Sequence, residues 1–301
     1  MAIITNQLLA AHRKQFSKLY QGALTNAEIS WDKIATKVSS STSENTYGWL
    51  GQWPQFREWV GDRVHKSMKE HGYSLTNKKY ESSVAVQVTD IEDDNIGIYA
   101  PMFAEMGRAA AVFPDELVYG LLKQGETELC YDGQPFFDAD HPVYENVDGT
   151  GEVVTVSNHS GGTGTPWYLF SSGWGLKALI YQERKAPEFT YMTNGDDESV
   201  YMRDEYRYGI KTRCNVGFGF WQAAHISKQE LNADALNSAI TAMQSLKTDG
   251  GRPLGVMPDL LVVPPSLRSA ALEVIKAERK ANGATNVNRD AVEILVAPLL
   301  A

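Results

Sequence analysis

Apolar side chains recur with a helical period between residues 102 and 121, and this is the strongest pattern in the chain. The repeat consists of Met102, Phe103, Met106, Ala109, Ala110, Phe113, Leu117 and Leu121. Pro101 suits the first turn of a helix, where its missing N–H is not needed. Because the repeat keeps its phase through Pro114, we predict one long helix over residues 94–125, kinked or locally broken at Pro114.

Weaker patterns predict the other elements of a mixed fold. Amphipathic helices are expected at residues 6–20, 233–246 and 266–281. Alternating or short apolar runs predict strands at residues 153–156, 179–182, 188–192, 200–203, 207–213, 259–263 and 292–296. The body of the protein is therefore expected to be α+β.

Residues 73–88 predict a β-hairpin. Tyr73 and Leu75 alternate with polar residues, as do Val84, Val86 and Val88, and the polar, basic segment 76–79 lies between the two runs. A hairpin with so few apolar residues cannot form its own core. We therefore expect it to lie at the edge of a larger sheet or to project as an arm that packs on something else.

Residues 37–51 are rich in Ser, Thr, Asn and Gly, which predicts an extended arm or loop. Three tryptophans, Trp49, Trp53 and Trp59, lie at its end or just beyond it. Large aromatic side chains on an irregular segment need a surface to bury against. That surface is either the protein's own core or a neighbouring chain, where Trp is enriched. An arm and a hairpin that cannot bury themselves indicate a self-assembling protein.

Composition excludes several classes of protein. The 301 residues are 43% hydrophobic and 22% charged, which is too apolar for a disordered chain. The net charge of 28 − 37 = −9 makes the chain a poor candidate for coating DNA, because phosphate binding needs clustered Lys and Arg. No apolar stretch approaches the ~18 residues of a membrane span, so no membrane partner is expected.

Asp138, Asp140 and His141 are the only grouping that suggests a metal site. Specific metal sites show a second ligand cluster, which is missing here, and a turn stabilised by Pro142 explains the same residues. No segment combines a nucleophile, a base and an oxyanion donor. We therefore predict no catalytic residue, metal or cofactor, and keep a metal-dependent enzyme using Asp138, Asp140 and His141 as an alternative.

Five segments spread over most of the chain form a specific combination, although each alone is modest. They are residues 41–61, 92–99, 105–122 (EMGRAAAVFPDELVYGLL), 131–144 (YDGQPFFDADHPVY) and 250–265. Together they resemble the Mu-like phage major head subunit family, the major capsid proteins of Mu-type tailed phages and prophages. The resemblance implies an HK-97-type capsid fold.

The resemblance also implies a division of the chain. Residues 1–54 would form the N-terminal arm, 55–89 the extended loop hairpin and 90–127 the spine helix of the peripheral domain. Residues 128–301 would supply the remaining peripheral-domain strands and the axial domain, with their boundary left open.

The implied function is structural. Copies would form hexamers and pentamers of an icosahedral shell in the virion, assembled in the host cytoplasm around a separate scaffold protein and later filled with double-stranded DNA. A maturation protease, a portal at one vertex and a possible decoration protein are the other implied partners. An encapsulin-like compartment that holds protein cargo is the alternative within the same fold.

Candidate contacts between subunits combine the tryptophans with charged residues near the predicted hairpin and helix. They are Trp49, Trp53, Arg57, Trp59, Arg63, Lys78, Lys79, Glu92, Asp93 and Asp94.

Overall fold

The computed structural model describes residues 6–48, 50, 72–93, 96–146, 150–280 and 283–301. Its helices are α1 (Asn6–Asn26), α2 (Trp31–Ile34), α3 (Val88–Glu92), α4 (Ala100–Lys123), α5 (Glu198–Arg203), α6 (Ala233–Gln244) and α7 (Arg268–Lys276). None of these described helices has both the length and the apolar character that crossing a membrane requires.

Thirteen strands are described. They are β1 (Ala35–Ser39), β2 (Glu44–Thr46), β3 (Ser74–Thr76), β4 (Lys78–Gln87), β5 (His141–Tyr144), β6 (Val153–Val156), β7 (His159–Gly162), β8 (Trp167–Phe170), β9 (Leu179–Met192), β10 (Glu205–Phe218), β11 (Ala224–Lys228), β12 (Leu260–Val263) and β13 (Glu293–Val296).

The strands form two main sheets. The first, in the order β1-β9-β10-β4, contains the two longest strands, and the second has the order β13-β12-β8-β11-β7. Every residue of β8 and β12 is buried, as expected for central strands covered on both faces. Two small pairs, β2 with β3 and β5 with β6, complete the described sheet structure.

Helix α4 is the long helix that the apolar repeat predicts. It runs without interruption through Pro114, which is buried, and its first turn contains Pro101. It begins at Ala100 and not at residue 94, because residues 96–99 form a short 3₁₀ helix. The N-terminal helix is also confirmed, and α1 extends to Asn26.

Helices α1 and α4 cover one face of the first sheet. Phe16 of α1 stacks on Phe103 of α4 at a centroid distance of 4.0 Å, and both rings meet Tyr208 of β10 edge-on. Phe189 of β9 closes the cluster. Aromatic pairs of this kind contribute about 0.5–1.5 kcal/mol each beyond their buried area.

The two helices run parallel and approach each other closely at Gly107. Phe16 meets Phe103, and one turn later the carbonyl of Tyr20 lies against Gly107. A Cβ atom on residue 107 would lie 2.3 Å from that carbonyl oxygen, a distance that side chains do not tolerate. Glycine at this position is therefore what allows α1 to lie directly on α4.

Asp115 of α4 holds the start of the first sheet. Its Oδ1 accepts hydrogen bonds from the backbone N–H of Ser30 at 3.0 Å, the Ser30 hydroxyl at 2.9 Å and the N–H of Trp31 at 2.6 Å. Burial raises the pKa of Asp115 even though these donors act in the opposite direction. The carboxylate replaces a local cap for α2, which leads directly into β1.

The predicted hairpin over residues 73–88 is wrong. β3 pairs with β2 and β4 pairs with β10, so the two runs do not pair with each other. Asn77 between them is buried, donates from Nδ2 to Ser40 Oγ and accepts from Gln182. Residues 76–79 therefore pass from one sheet to another instead of forming an exposed tip.

Two further predictions are corrected. Residues 37–51 are not simply an arm or loop, because Lys37–Ser39 belong to β1, which pairs in parallel with β9, and β2 follows. Tyr47, which follows β2, donates a hydrogen bond to the buried side chain of Gln182 in β9 at 2.7 Å. Polar contacts of this kind hold the segment in place, so its sequence lacks the alternating apolar residues that predict a strand. Residues 200–203 belong to helix α5, not to a strand.

Substitution of Gly107 tests the contact between α1 and α4. Gly107→Ala is expected to lower the free energy of unfolding by about 1–3 kcal/mol, because the methyl group forces the helices apart. Gly120→Ala on the same helix is the matched control, since its Cβ would meet nothing within 4 Å and alanine favours a helix by roughly 0.5–1 kcal/mol. Urea unfolding of the unassembled subunit measures both, and equal effects of the two variants would contradict the close approach.

Candidate assembly surfaces

The first sheet has a face that α1 and α4 do not cover. Tyr80 of β4 contacts Phe113 of α4, so the odd-numbered residues of β4 point the other way, and Lys79, Glu81, Ser83 and Ala85 among them are exposed. We call the odd-numbered positions of residues 79–87 in β4 and 205–213 in β10 the open face. It is largely polar and charged, as expected of a surface that meets water or a polar partner. Beyond it, β3 covers the end of β10, where Leu75 lies on Gly217 and Asn215 donates to the carbonyl of Thr76.

Exposed apolar side chains lie at one end of this sheet. Tyr191 and Met192 end β9, and Tyr201 and Met202 lie on α5 before β10 begins. Tyr201 is 84% exposed and Met202 is 69% exposed, so most of each side chain lies in water. We call these four residues the sheet tip. Grouped large apolar side chains of this kind mark interaction surfaces.

Three of the sequence-predicted contacts fall on described surface. Lys78 and Lys79 are exposed at the start of β4, and Asp93 is exposed after α3. Glu92 is the last residue of α3, and its side chain lies outside the described structure. Residues wholly outside the described structure are Trp49, Trp53, Arg57, Trp59, Arg63 and Asp94.

Asp138, Asp140 and His141, the alternative metal site, do not come together as a ligand group in the described structure, although the side chains of Asp138 and Asp140 contact each other. His141 is fully buried, stacks on Trp221 at 4.0 Å and forms a hydrogen bond from Nδ1 to Asp132 at 2.8 Å. Asp138 instead accepts from the backbone of Ala139. Asp140 is exposed, and its pKa is raised by Asp138 next to it. The turn interpretation holds only in part, because Asp138 bonds to backbone but His141 and Pro142 belong to strand β5.

Cys130 and Asp132 are the partners that the sequence did not identify. Ligand atoms of Cys130, Asp132 and His141 lie within 4.8 Å of one another, so these residues could in principle hold a metal ion. Asp132 accepts from the Cys130 thiol at 3.0 Å, from His141 and from the N–H of Gln134. The three side chains thus bind one another and join the loop at residue 130 to β5.

The pKa shifts of Asp132 and Cys130 favour an ionised carboxylate that accepts a hydrogen bond from a protonated thiol. Burial would raise the pKa of Asp132, but the hydrogen bonds from His141 and Cys130 outweigh it and lower the pKa. Burial and the adjacent Asp132 carboxylate raise the pKa of the Cys130 thiol. Nucleophilic chemistry needs a thiolate, so the raised pKa of the Cys130 thiol favours a structural role.

A second buried group surrounds His225 of β11. Its Nε2 lies 2.5 Å from the Ser160 hydroxyl of β7. Next to it, Glu126 pairs with His159 at 3.0 Å and with Lys228 at 2.6 Å. Burial, with a smaller contribution from His159, lowers the pKa of His225 to about 4. The neutral imidazole therefore belongs to the packed interior of the second sheet.

Comparison with known proteins identifies the family. The family model for the Mu-like prophage major head subunit gpT matches residues 9–300. The chain belongs to this family.

Characterised relatives agree with the match. The chain is 46% identical to the major capsid protein of Escherichia phage Mu over 291 residues, which is 96% of this chain and 95% of that protein. It is 45% identical to the Mu-like prophage FluMu major head subunit of Haemophilus influenzae over 294 residues, 96% of each. These relatives are structural capsid proteins and not enzymes, so the enzyme alternative has no support.

Solved structures show the same fold. The subunit from the procapsid of bacteriophage JBD30 superposes with a TM-score of 0.89 and 54% identity, covering 98% of this chain and 100% of that one. The subunit from the JBD30 capsid gives a TM-score of 0.77 with 41% identity over the whole of both chains. The capsid subunit thus has the expected HK-97-type fold, and the encapsulin-like alternative is not supported.

The depressed pKa of His225 predicts acid sensitivity of the capsid subunit. An imidazole that titrates at 6.5 when unfolded and at about 4 when folded binds more protons in the unfolded state. Its contribution to stability is complete above pH 6.5 and falls by up to about 3 kcal/mol as the pH drops to 4. We expect His225→Gln to flatten the dependence of the unfolding free energy on pH over this range.

Ser160→Ala is the control for this titration. It removes the hydrogen bond to His225 but keeps the imidazole, so it should lower stability at pH 7 and keep the slope. Urea unfolding at a series of pH values measures both variants. A wild-type slope retained in His225→Gln would show that other groups cause the acid sensitivity.

Proposed function

We propose that this capsid subunit forms the hexamers and pentamers of an icosahedral shell that encloses double-stranded DNA. The observation that carries the proposal is the superposition, over nearly the full length of both chains, on the subunit of the JBD30 procapsid. Its surface supports the proposal. The open face and the sheet tip offer a charged area and an apolar area to neighbouring copies.

The shell would form first as a precursor and then change shape. Support comes from the TM-scores, which are 0.89 for the JBD30 procapsid subunit and 0.77 for the JBD30 capsid subunit. We infer that the described conformation corresponds to the precursor shell. Assembly would take place in the host cytoplasm around a separate scaffold protein, with a maturation protease and a portal as further partners. These partners rest on the family resemblance alone.

A decoration protein is a further proposed partner. The JBD30 capsid also exists in a form decorated with minor capsid protein trimers. By analogy, a trimeric protein would bind the outside of this shell.

The net charge of −9 suits a container for DNA. Tight DNA binding depends on clustered Lys and Arg, so an acidic subunit would hold the packaged genome only weakly and allow it to leave. A strongly basic inner surface in the assembled shell would contradict this part of the proposal.

Electron microscopy tests the assembly directly. The purified chain is expressed alone and together with its neighbouring genes, and negatively stained samples are compared. We expect closed shells, tubes or rings of capsomers in at least the second preparation. Dispersed monomers in both preparations would contradict the proposal, and particles that contain a protein cargo instead of DNA would favour a compartment.

A further inference from the structure

Three cations lie directly opposite one another on adjacent strands of the first sheet. Arg213 of β10 pairs with Lys79 of β4 on one side and with Lys185 of β9 on the other. We call Lys79, Arg213 and Lys185 the cation row. Like charges opposite one another on a sheet are destabilising, so this arrangement requires a reason beyond the fold of the subunit.

Two members of the cation row, Lys79 and Arg213, lie on the open face, and the third, Lys185, lies at its border on β9. Tyr80 points towards α4, so Lys79 next to it points away, and Arg213 is directly opposite Lys79. Lys185 pairs with Glu188, which also lies 3.7 Å from Lys211, two residues before Arg213 on the same strand. A register shift between residues 211 and 213 brings Lys185 opposite Arg213.

The neighbouring row of the same sheet has balanced charges. In the strand register, Lys211 lies opposite Glu81 of β4 on one side and opposite Glu188 of β9 on the other, so a cation lies between two carboxylates. The strands β4, β10 and β9 therefore balance the charges of one row within the subunit, whereas the next row contains only cations. This contrast provides a matched control within the molecule.

Two members of the cation row have no anionic partner in the described part of the chain. Neither Lys79 nor Arg213 forms an ion pair there, and Lys185 shares Glu188 with Lys211. Nε of Arg213 is buried and has no hydrogen-bond partner among the described residues. A charged group without an acceptor is costly, and the terminal nitrogens of Arg213, which unlike Nε are not buried, are the atoms that an acceptor from outside the subunit can reach.

We propose that carboxylates of a second copy of this chain bind the cation row when the shell assembles. This inference rests on the proposed function and names one surface that the shell would use. Charge complementarity favours a second copy, because 37 acidic residues against 28 basic ones make every neighbouring subunit a source of carboxylates. DNA fits less well, because Glu81 and Glu188 beside the row would repel phosphates.

The proposal predicts opposite effects on the subunit and on the shell. The double variant Lys79→Gln, Arg213→Gln removes repulsion within the sheet, so the melting temperature of the unassembled subunit should stay the same or rise. Loss of contacts with the neighbour should raise the critical concentration for assembly by about tenfold. Lys211→Gln, which loses a pair already formed within the subunit, should leave the critical concentration nearly unchanged.

Light scattering, checked by electron microscopy, measures the critical concentration of each variant, with neighbouring genes coexpressed where the wild type needs them. Raising the salt concentration to about 0.5 M should weaken assembly of the wild type more than that of the double variant, because salt screens exposed ion pairs. Equal critical concentrations for the wild type and the double variant would overturn the inference.

Two other results are distinguishable from this one. If the double variant assembles normally but loses affinity for a double-stranded DNA fragment in a gel-shift assay, the row binds DNA and the inference is wrong. If the wild-type chain forms no shells under any condition, the proposed function fails, and the inference fails with it because no second copy would meet the row.

Discussion

The subunit depends on the close packing of α1 against α4 over one face of the first sheet. The strands β9 and β10 are each 14 residues long and cannot bury their aromatic side chains by pairing alone. Phe16 and Phe103 from the two helices cover Phe189 and Tyr208 from the strands. Gly107 allows the helices to approach closely enough for both to reach the sheet.

This packing gives the first sheet one face that is buried within the subunit and one face that is largely exposed. One face of the sheet is closed within the subunit, and Asp115 fixes the start of β1 beneath the same helix. Within the described residues, Lys79 and Arg213 on the open face form no ion pair, and the sheet tip exposes apolar side chains to water. Such surfaces are expected in a chain that completes itself by binding copies of itself.

Local patterns predicted the elements whose residues interact mainly with near neighbours in sequence. Helix α4 was predictable because one apolar stripe continues through Pro114, and α1 because its apolar face is regular. The strand pattern of residues 80–88 was correct over β4, but its partner is β10, more than a hundred residues later. Pairing over such distances leaves no local signal, so a neighbouring hairpin was predicted instead.

The contacts of His141 and of the cation row also join residues that the local sequence does not connect. His141 was noticed beside Asp138 and Asp140, whereas its partner in space is Asp132, brought close by a turn of the loop. The cation row depends on the register of three strands, and no single segment reveals it. Function was predictable because the family resemblance rests on segments spread over most of the chain, which the match over residues 9–300 confirms. The domain boundaries stay predictions.

Hydrogen–deuterium exchange of the unassembled subunit tests the central claim most directly. If α1 and α4 close one face of the sheet before assembly, amides in the buried turns of α1 around Phe16 and Tyr20 are protected nearly as well as those of α4, and they remain so in shells. Exchange of α1 at the rate of an unfolded peptide in the free subunit, with protection gained only in shells, would show instead that α1 is an arm that docks on assembly.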